Sequence, residues 1–586
     1  MSTALQEQDI QITSELASHD RAYFNGLDVQ RRDHQHKHVK IGENFIPSSL
    51  MTESERAQVL GVVPYELLKG QDYYLHAAQG VHVRFHPMDA GLGSSVIRDD
   101  YLQEMSDVVD RKALHGKKGS KSTDLYLPYM QADGSIGYMS IAEVKINRII
   151  AEAGRYGGIS LTPIVNDDSH PAMAAVYDQY EPYFQEHNIL NGRWLKQGDL
   201  PSWDVAAGRF STEHVAPGGH GQAGVMLLHE IMSAEDQGVP TVRSIFNGDG
   251  PNNFVTPEMV AYTSEEAGIV MITTTRTPAD VKGGIIGGKV HGDGSMTPDI
   301  CELAQAKKAG QTDLFMQLGL AQDIQGETIP SDRTHASGEQ YFNTNTALMN
   351  ETVLRPFLHA LRDQMTAEAF DALLTPELML NTKEKNGKKF DQLEGALGSL
   401  ILRLNEAVQN NEFIGGIWQE VSGGKAFLKI INTNPQDRDE TFTPNKFPVD
   451  FLVQSSSDHF LLNTDTWMLE NRRPGHIPRM EGDLVQKGYY ADVQNVRRTF
   501  GRAAIRGLDM LHMEGAFICP DAVWRGNVRL KSHLNTPVEL TGADFKNFLG
   551  QNGDEPLVLE NIDLEVFENG RVLMRNRQKQ AGQKQD

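Results

Sequence analysis

The chain has 586 residues, of which 39% are hydrophobic and 23% are charged, as is typical of a globular protein with two or three domains. A formal net charge of −23 argues against a nucleic-acid partner, because phosphate backbones are bound by clustered lysine and arginine. Only two cysteines, no signal-like N-terminus and no apolar run of roughly 18 residues together predict a soluble cytoplasmic protein without a membrane partner.

The first predicted region, residues 1–78, is polar and mainly helical, with an amphipathic stretch near 52–68. It contains three alternating histidines, His34, His36 and His38. On a strand they would share one face and could bind a metal ion. Since no cysteine or carboxylate cluster accompanies them, we favour a solvated loop here.

Residues 79–505 alternate between short apolar runs, glycine-rich turns and helical stretches. This alternation predicts an α/β domain with a mixed, mainly parallel sheet, in which ligands bind beyond the carboxyl ends of the strands. Residues 506–576 show short alternating segments that predict a small all-β domain. The polar tail 577–586 has no apolar face and is predicted to be disordered.

A glycine turn follows the first apolar run of the α/β region, VHVRFHPM. Gly91 and Gly93 allow positive φ and a close approach of the backbone to a phosphate. Many such G-x-G segments are plain turns. The full G-x-G-x-x-G pattern and its downstream acid are missing, which argues against a dehydrogenase.

Three lysines, Lys117, Lys118 and Lys121, surround Gly119 in what we predict to be a flexible cationic loop. Such a loop could neutralise a triphosphate, or the charge that develops in phosphoryl transfer. An exposed basic loop without a ligand is the alternative interpretation.

Two later segments carry polar side chains suited to a metal and a sugar. The strand RSIF ends at Asn247 and Asp249, and a single carboxylate at such a position suits Mg²⁺ that also binds phosphates, although an Asx turn is the plain alternative. Asn343 and Asn345 alternate, so on an extended segment both amides would point the same way and could bind sugar hydroxyls.

Taken in order, these segments resemble the UDP-glucose pyrophosphorylase family, the UTP–glucose-1-phosphate uridylyltransferases of the type found in eukaryotes. MDAGLGSS is similar to the family's LNGGLGTS, KGSKS to KGPKS, GGHG to PGHG and NGDG to NSDN. TRTPADVKGG is similar to TRADVKGG, FNTNT to FNTNN, and the QLEGALGSLI segment to QLETAxGxAI. The resemblance covers residues 80–465, most of the chain.

The resemblance implies a Rossmann-like nucleotidyltransferase domain followed by a small left-handed β-helix-like domain, through which members of the family often self-associate. It also implies the roles of individual residues. The residues implied to bind the nucleotide are Met88, Ala90, Gly91, Gly93, Gln197, Gly219, His220 and Asn247, with Gln197 at the uracil. Those implied to be catalytic are Lys118, Lys121 and Asp249, with Asp249 also binding Mg²⁺. Those implied to bind the hexose are Gly283, Gly284, Asn343 and Asn345.

The reaction that the resemblance implies is formation of UDP-glucose, or a close UDP-sugar, and pyrophosphate from UTP and a sugar 1-phosphate. The phosphate attacks the α-phosphorus in line, so positioning and charge neutralisation matter more than an acid–base pair. The absence of a recognisable nucleophile triad agrees with such a mechanism.

The chain departs from the family's pattern at several positions. Ala90 replaces a glycine, Gln454 replaces a phosphate-contacting lysine, and Gly319 aligns near a sugar-contacting glutamate. An insertion of roughly twenty residues between Ser95 and Lys118 lengthens the triphosphate loop. These departures motivate an alternative hypothesis, a catalytically weak UDP-sugar-binding or regulatory homologue.

Overall fold

The computed structural model describes residues 18–33, 38–91, 96–109, 119–280, 283–321, 323–326, 328–329, 338–486, 488–551 and 555–576. Within these residues no helix is both long enough and apolar enough to cross a lipid bilayer.

A large mixed sheet forms the centre of the molecule. The strands of the first 471 residues are β1 Phe45–Pro47, β2 Val62–Pro64, β3 His82–Met88, β4 Tyr126–Met130, β5 Ile136–Ser140, β6 Gly158–Leu161, β7 Ile164–Val165, β8 Ile189–Leu190, β9 Leu195–Lys196, β10 Asp199–Asp204, β11 Arg209–Pro217, β12 Thr241–Asn247, β13 Ala267–Thr275, β14 Gly284–Val290, β15 Met296–Glu302, β16 Tyr341–Asn350, β17 Leu378–Lys385, β18 Lys388–Gly395, β19 Ala426–Thr433, β20 Phe460–Asn463 and β21 Met468–Asn471.

The main path of this sheet runs β2-β19-β13-β16-β12-β3-β6-β8. All neighbours along it are parallel except at β16, which is antiparallel to both β12 and β13. The prediction of a mixed, mainly parallel sheet is therefore confirmed. Because β3 and β12 are parallel neighbours, with Met88 opposite Asn247, the loops that follow them begin side by side.

Both faces of the sheet are buried, as parallel sheets require. On β13, Ile269 and Met271 pack into one apolar cluster, whereas the alternating Val270 and Ile272 pack into a second one on the opposite face. This explains why the strand reads as a continuous apolar run in the sequence rather than as an alternating one.

Helices pack on both faces of the sheet, and others pack against the C-terminal region. They are α1 Ser18–Arg32, α2 Glu53–Glu55, α3 Asp72–Ala78, α4 Asp99–Val108, α5 Lys121–Asp124, α6 Ile141–Ala151, α7 His170–Glu186, α8 Gly219–Ser233, α9 Pro257–Glu266, α10 Leu303–Lys308, α11 Thr312–Gln317, α12 Glu351–Gln364, α13 Ala367–Leu374, α14 Leu397–Asn410, α15 Glu412–Ser422, α16 Pro448–Ser455, α17 Val493–Phe500 and α18 Ala543–Phe548.

Two segments differ from the sequence-based predictions, which gave a mainly helical N-terminal region and a long loop after Ser95. The stretch 52–68 forms only short helical turns around β2, which adds to the edge of the main sheet beside β19. The insertion after Ser95 contains helix α4, whose Tyr101 and Met105 lie one turn apart and pack into a core with the C-terminal region. His34 and His36 lie outside the described residues.

The described part of the C-terminal region contains eight strands, most of them paired in parallel. They are β22 Arg479–Gly482, β23 Ala504–Glu514, β24 Phe517–Ile518, β25 Val523–Ser532, β26 Val538–Glu539, β27 Val558–Glu560, β28 Ile562–Val566 and β29 Val572–Asn576. Strands β22, β23, β25 and β28 are consecutive parallel neighbours, and β29 closes the edge in an antiparallel pair. The sheet thus begins with β22, before the predicted boundary at 506. The left-handed coil stays a prediction, and the tail 577–586 lies outside the described residues.

Candidate functional site

The loop after β12 and the start of α5 meet in an ion pair. Lys121 contacts the carboxylate of Asp249, and its ammonium group also donates to the backbone carbonyl of Asn445. The side-chain amide of Asn445 donates in turn to the backbone carbonyl of Asp249 at 2.7 Å. Lys121 therefore lies in a short ordered helix rather than in the flexible loop predicted for it.

Charge decides the protonation state of Asp249. Burial alone would raise the pKa of this carboxyl, but the positive charges of Lys121 and then Lys446, together with the hydrogen bond from Lys121, hold the pKa below its ordinary value. The carboxylate is thus ionised at neutral pH, as a metal ligand must be.

A second carboxylate, Asp89, lies directly after β3. Ser122 donates to it, and a Cβ added to Gly248 would lie 1.9 Å from its Oδ1, so Asp89 packs against the backbone that carries Asp249. Lys145 of α6 lies beneath the same loops and donates to the carbonyls of Asn247 and Asn253 at 2.7 and 3.2 Å. Burial raises the pKa of Asp89 and lowers that of Lys145, the two being close enough to interact.

These residues fit a magnesium ion that shares its coordination with a substrate. Asp249 is the donor at the strand end, its side chain 20% exposed, and the carboxylate of Asp89 belongs to the same charge cluster. Within the described residues no group of three or more His, Cys, Asp or Glu side chains is arranged to hold a metal. Magnesium commonly uses one or two carboxylates and takes its other ligands from substrate phosphates and water.

Gln197 and Gly219, distant in sequence, are in direct contact. The amide nitrogen of Gln197 donates to the carbonyl of Gly219 and to Oε1 of Gln222, both at 2.8 Å. Both amide hydrogens are thereby used, and Oε1 of Gln197 accepts no hydrogen bond from the described residues. His220 follows Gly219, and burial, then the charge of Lys446, lowers its pKa to about 4, so the imidazole is neutral at pH 7.

The N-terminus of α8 packs closely on the segment that the sequence matches to QLEGALG. A Cβ on Gly221 would lie 2.6 Å from the carbonyl carbon of Gly395, and the amide of Gly395 donates to the carbonyl of Gly218 at 3.3 Å. Tyr23 of α1 donates to the same carbonyl at 2.5 Å. Glycine is needed at 221 because the two backbones touch.

The glycine turn after β3 is only partly described. Met88 pairs with Asn247, and Ala90 is buried. Gly91 is exposed, has no positive φ, and a Cβ there would meet none of the described residues within 4 Å, so the positive φ that the sequence suggests is not observed. Gly93 and Lys118 lie outside the described residues.

The residues predicted to bind the sugar converge around the start of β16. The amide of Asn343 donates to Oδ1 of Asn345 at 3.0 Å. Asn345 has a φ of 57°, at a bulge where the pairing of β13 with β16 shifts register, so the extended geometry predicted for this pair is not what brings the amides together. A Cβ on Gly283 would lie 2.4 Å from the ring of Phe342, and Gly284 pairs with Glu302.

Two polar residues of the centre escaped sequence reasoning. Asp89 could have been found, because it directly follows an apolar strand. Lys145 could also have been found, because a lysine amid the apolar positions of IAEVKINRII contradicts the amphipathic pattern of that helix. The structure brings both beside Asp249.

No family model matches this chain, and neither does any curated protein. Solved structures do. A variant of the Leishmania major UDP-glucose pyrophosphorylase in complex with UDP-glucose superposes with a TM-score of 0.62 at 16% identity, covering 97% of this chain and 100% of that one. Open and closed structures of the same enzyme give 0.61 at 15% identity, with 97% and 100% covered.

A UDP-glucose phosphorylase from Trypanosoma brucei gives a TM-score of 0.60 at 17% identity, covering 95% of this chain and 99% of that chain. The similarity extends over almost the whole length of each protein, C-terminal region included. The chain therefore has the fold of the UDP-glucose pyrophosphorylases of Leishmania and Trypanosoma.

Proposed function

We propose that this protein is a Mg²⁺-dependent uridylyltransferase that forms UDP-glucose, or a close UDP-sugar, and pyrophosphate from UTP and the sugar 1-phosphate. The observation that carries the proposal is the ion pair of Lys121 with Asp249 at the end of β12, in a fold shared with proteins that bind UDP-glucose. Charged groups suited to phosphates lie there.

The uridine half of the substrate is assigned to Gln197, Gly219 and His220. With both amide hydrogens of Gln197 donated to protein groups, its Oε1 is left as an acceptor. Uracil offers an N3–H donor, whereas cytosine offers an unprotonated nitrogen at the same position. This arrangement favours UTP over CTP, because an unpaired acceptor facing another acceptor is costly.

The phosphates are assigned to the cationic centre, formed by Lys121, Lys145 and Lys446 around Asp249. Lys121 and Lys118 are the predicted phosphate-binding lysines. A phosphate oxygen of the sugar 1-phosphate forms a bond to the α-phosphorus of UTP, the bond from that phosphorus to the bridging oxygen breaks, and pyrophosphate leaves. Lys121 neutralises charge as this happens, and the buried surroundings strengthen its effect. Mg²⁺, when bound by Asp249, would supply further neutralisation of the phosphate oxygens.

The hexose is assigned to Gly283, Gly284, Asn343 and Asn345. An asparagine amide offers donors and an acceptor, which suits sugar hydroxyls. Self-association through the C-terminal β-rich region, as in the resembled family, completes the proposal.

The competing function is a UDP-sugar-binding or regulatory protein with weak turnover, which Gln454 favours because a glutamine cannot supply a positive charge. A panel of sugar 1-phosphates assayed with UTP and Mg²⁺, beside calorimetric titration with UDP-glucose, separates the two. Turnover with at least one sugar 1-phosphate supports the proposal. Tight UDP-glucose binding without turnover on any of them would establish the competitor instead.

A further inference from the structure

The turn between Thr443 and Phe447 presents a lysine to the cationic centre. Lys446 lines a cavity with Gln454 and Asp450. Burial lowers the pKa of its ammonium group, and the charges of Asp249, then Lys121, Glu302 and Asp450 also act on that pKa. Lys446 also acts on His220. Lys446 is therefore near His220, which is assigned to the nucleotide, and near Lys121, which is assigned to the phosphates. It is also near Glu302 at the end of β15, next to the proposed sugar contacts.

Lys446 differs from Lys121 in its bonding. Lys121 is already committed to Asp249 and to the carbonyl of Asn445. By contrast, within the described residues no carboxylate lies within 4.0 Å of the ammonium of Lys446, and its side chain makes no hydrogen bond there. A lysine that keeps its donors available is suited to bind an incoming anion.

The side-chain amide nitrogen of Gln454 is bonded to the turn that carries Lys446. Its amide nitrogen donates to the carbonyls of Thr443 and Pro444 at 3.3 and 3.1 Å. Gln454 and Lys446 line the same cavity, with Phe447 and Asp450 between them. The amide nitrogen of Gln454 thus donates its hydrogen bonds to the backbone that leads directly into Lys446.

The other side of the turn is fixed as well. Oδ2 of Asp450 accepts the backbone N–H groups of Lys446 and Phe447, both at 2.8 Å. The amide of Thr443 donates to Oδ1 of Asn253 at 3.0 Å, which ties the turn to the loop after β12. The position of Lys446 relative to Asp249 is therefore set by hydrogen bonds at both ends of the turn.

Resting on the proposed uridylyltransferase function, we propose that Lys446 supplies the phosphate-binding charge that a lysine at position 454 supplies in the resembled family. Gln454 is a positioning residue that holds the Lys446 turn. The ligand chemistry is a nucleoside triphosphate or free pyrophosphate, and the nucleoside alone does not need this lysine.

The test compares uridine, UTP and pyrophosphate binding by calorimetry in the full-length protein. Lys446→Met should weaken UTP and pyrophosphate binding by about 10- to 100-fold, as for loss of one hydrogen bond to a charged group, and leave uridine binding unchanged. Lys446→Arg, which keeps the charge, should retain most of the UTP affinity. Lys307→Met, an exposed lysine on α10, is the matched control and should change neither.

Position 454 is tested in the same assay. Gln454→Leu should weaken UTP binding by about 2- to 10-fold without changing uridine binding, since only the turn loosens. Gln454→Lys should not tighten UTP binding. The inference is overturned if Lys446→Met keeps full UTP affinity, if it loses uridine to the same degree, or if Gln454→Lys tightens UTP tenfold. A wild type that binds neither uridine nor UTP would instead overturn the proposed function.

Discussion

The ammonium group of Lys121 is bound at once to the carboxylate of Asp249 and to the backbone of Asn445, so three chain segments distant in sequence meet at one cation. The carboxylate belongs to the loop after β12, the lysine begins α5, and the asparagine belongs to the turn before α16. A change at any one of these residues therefore alters the contacts of the other two.

Asp249→Asn should lower turnover by at least about 100-fold, because the anionic donor is lost and the amide cannot replace its charge at the phosphates. The fold should persist, since an amide of the same shape can still face Lys121. Initial rates and Mn²⁺ binding followed by electron paramagnetic resonance check both halves. The exposed Asp363→Asn on α12 serves as control, and unchanged Mn²⁺ affinity in Asp249→Asn would refute the metal assignment.

Gln197→Leu should raise the KM for UTP by about 10-fold or more and reduce the preference for UTP over CTP, because the acceptor opposite uracil N3–H is removed. The ratio of kcat/KM for the two nucleotides is the measurement. Gln179→Leu, an exposed glutamine on α7, should leave that ratio as in the wild type. A ratio that stays the same in Gln197→Leu would move the base contact elsewhere.

Two helical glycines are predicted to respond in opposite ways to alanine. At Gly221 the new Cβ would meet the backbone of Gly395 at 2.6 Å, so Gly221→Ala should destabilise by about 1–3 kcal/mol and impair UTP binding. At Gly416 on α15 the Cβ would meet nothing within 4 Å, so Gly416→Ala should stabilise by about 0.5–1 kcal/mol. Urea denaturation of both variants checks the pair, and equal effects would contradict the close packing.

The buried pair of Asp280 and Arg438 predicts an acid-dependent loss of stability. The guanidinium donates to both carboxylate oxygens, at 2.6 and 2.8 Å, and although burial opposes ionisation, this arginine lowers the pKa of Asp280. A carboxyl with a folded pKa below its unfolded value stabilises the fold above the unfolded pKa. That contribution is lost as the pH falls through the folded pKa, here below about pH 4.

Asp280→Asn should therefore destabilise by about 3–5 kcal/mol at pH 7, with a difference from wild type that shrinks below about pH 4. Asp236→Asn, which removes an exposed carboxylate paired with Arg355, should cost no more than about 1 kcal/mol. Denaturation curves at several pH values measure both. A difference for Asp280→Asn that stays constant from pH 7 to pH 3 would contradict the ion pair.

Much of the fold could be predicted from the sequence because local patterns report it. The apolar runs of β12 and β13 and the glycine or asparagine turns after the strands place loops at one edge of a mainly parallel sheet. The structure of segment 52–68 was harder to predict from the sequence, because a short edge strand such as β2 forms by pairing with β19 rather than from its own periodicity.

The sequence predicts which loops carry the candidate site residues, but it does not predict how their side chains are arranged. Asp249, Gln197 and Gly219 lie where loop contacts were expected, whereas the bulge at Asn345 depends on long-range pairing that no local pattern records. Lys145 and Asp89 were missed although each carries a local signal, a lysine within an apolar helix pattern and an aspartate directly after an apolar strand; their contacts with the loop after β12 are long-range and have no local signal. The roles of all the candidate site residues remain predictions, and Lys118 and Gly93 also lie outside the described residues.

Transfer of a uridylyl group to a sugar 1-phosphate releases pyrophosphate, so pyrophosphate formation reports the proposed reaction itself. With UTP, glucose 1-phosphate and Mg²⁺, the wild-type protein should release one pyrophosphate for each UDP-glucose formed, and Asp249→Asn should release almost none. Stoichiometric pyrophosphate release by the wild type that is lost in Asp249→Asn would support the proposed uridylyl transfer. No pyrophosphate from the wild type with any sugar 1-phosphate, while UDP-glucose still binds, would contradict it.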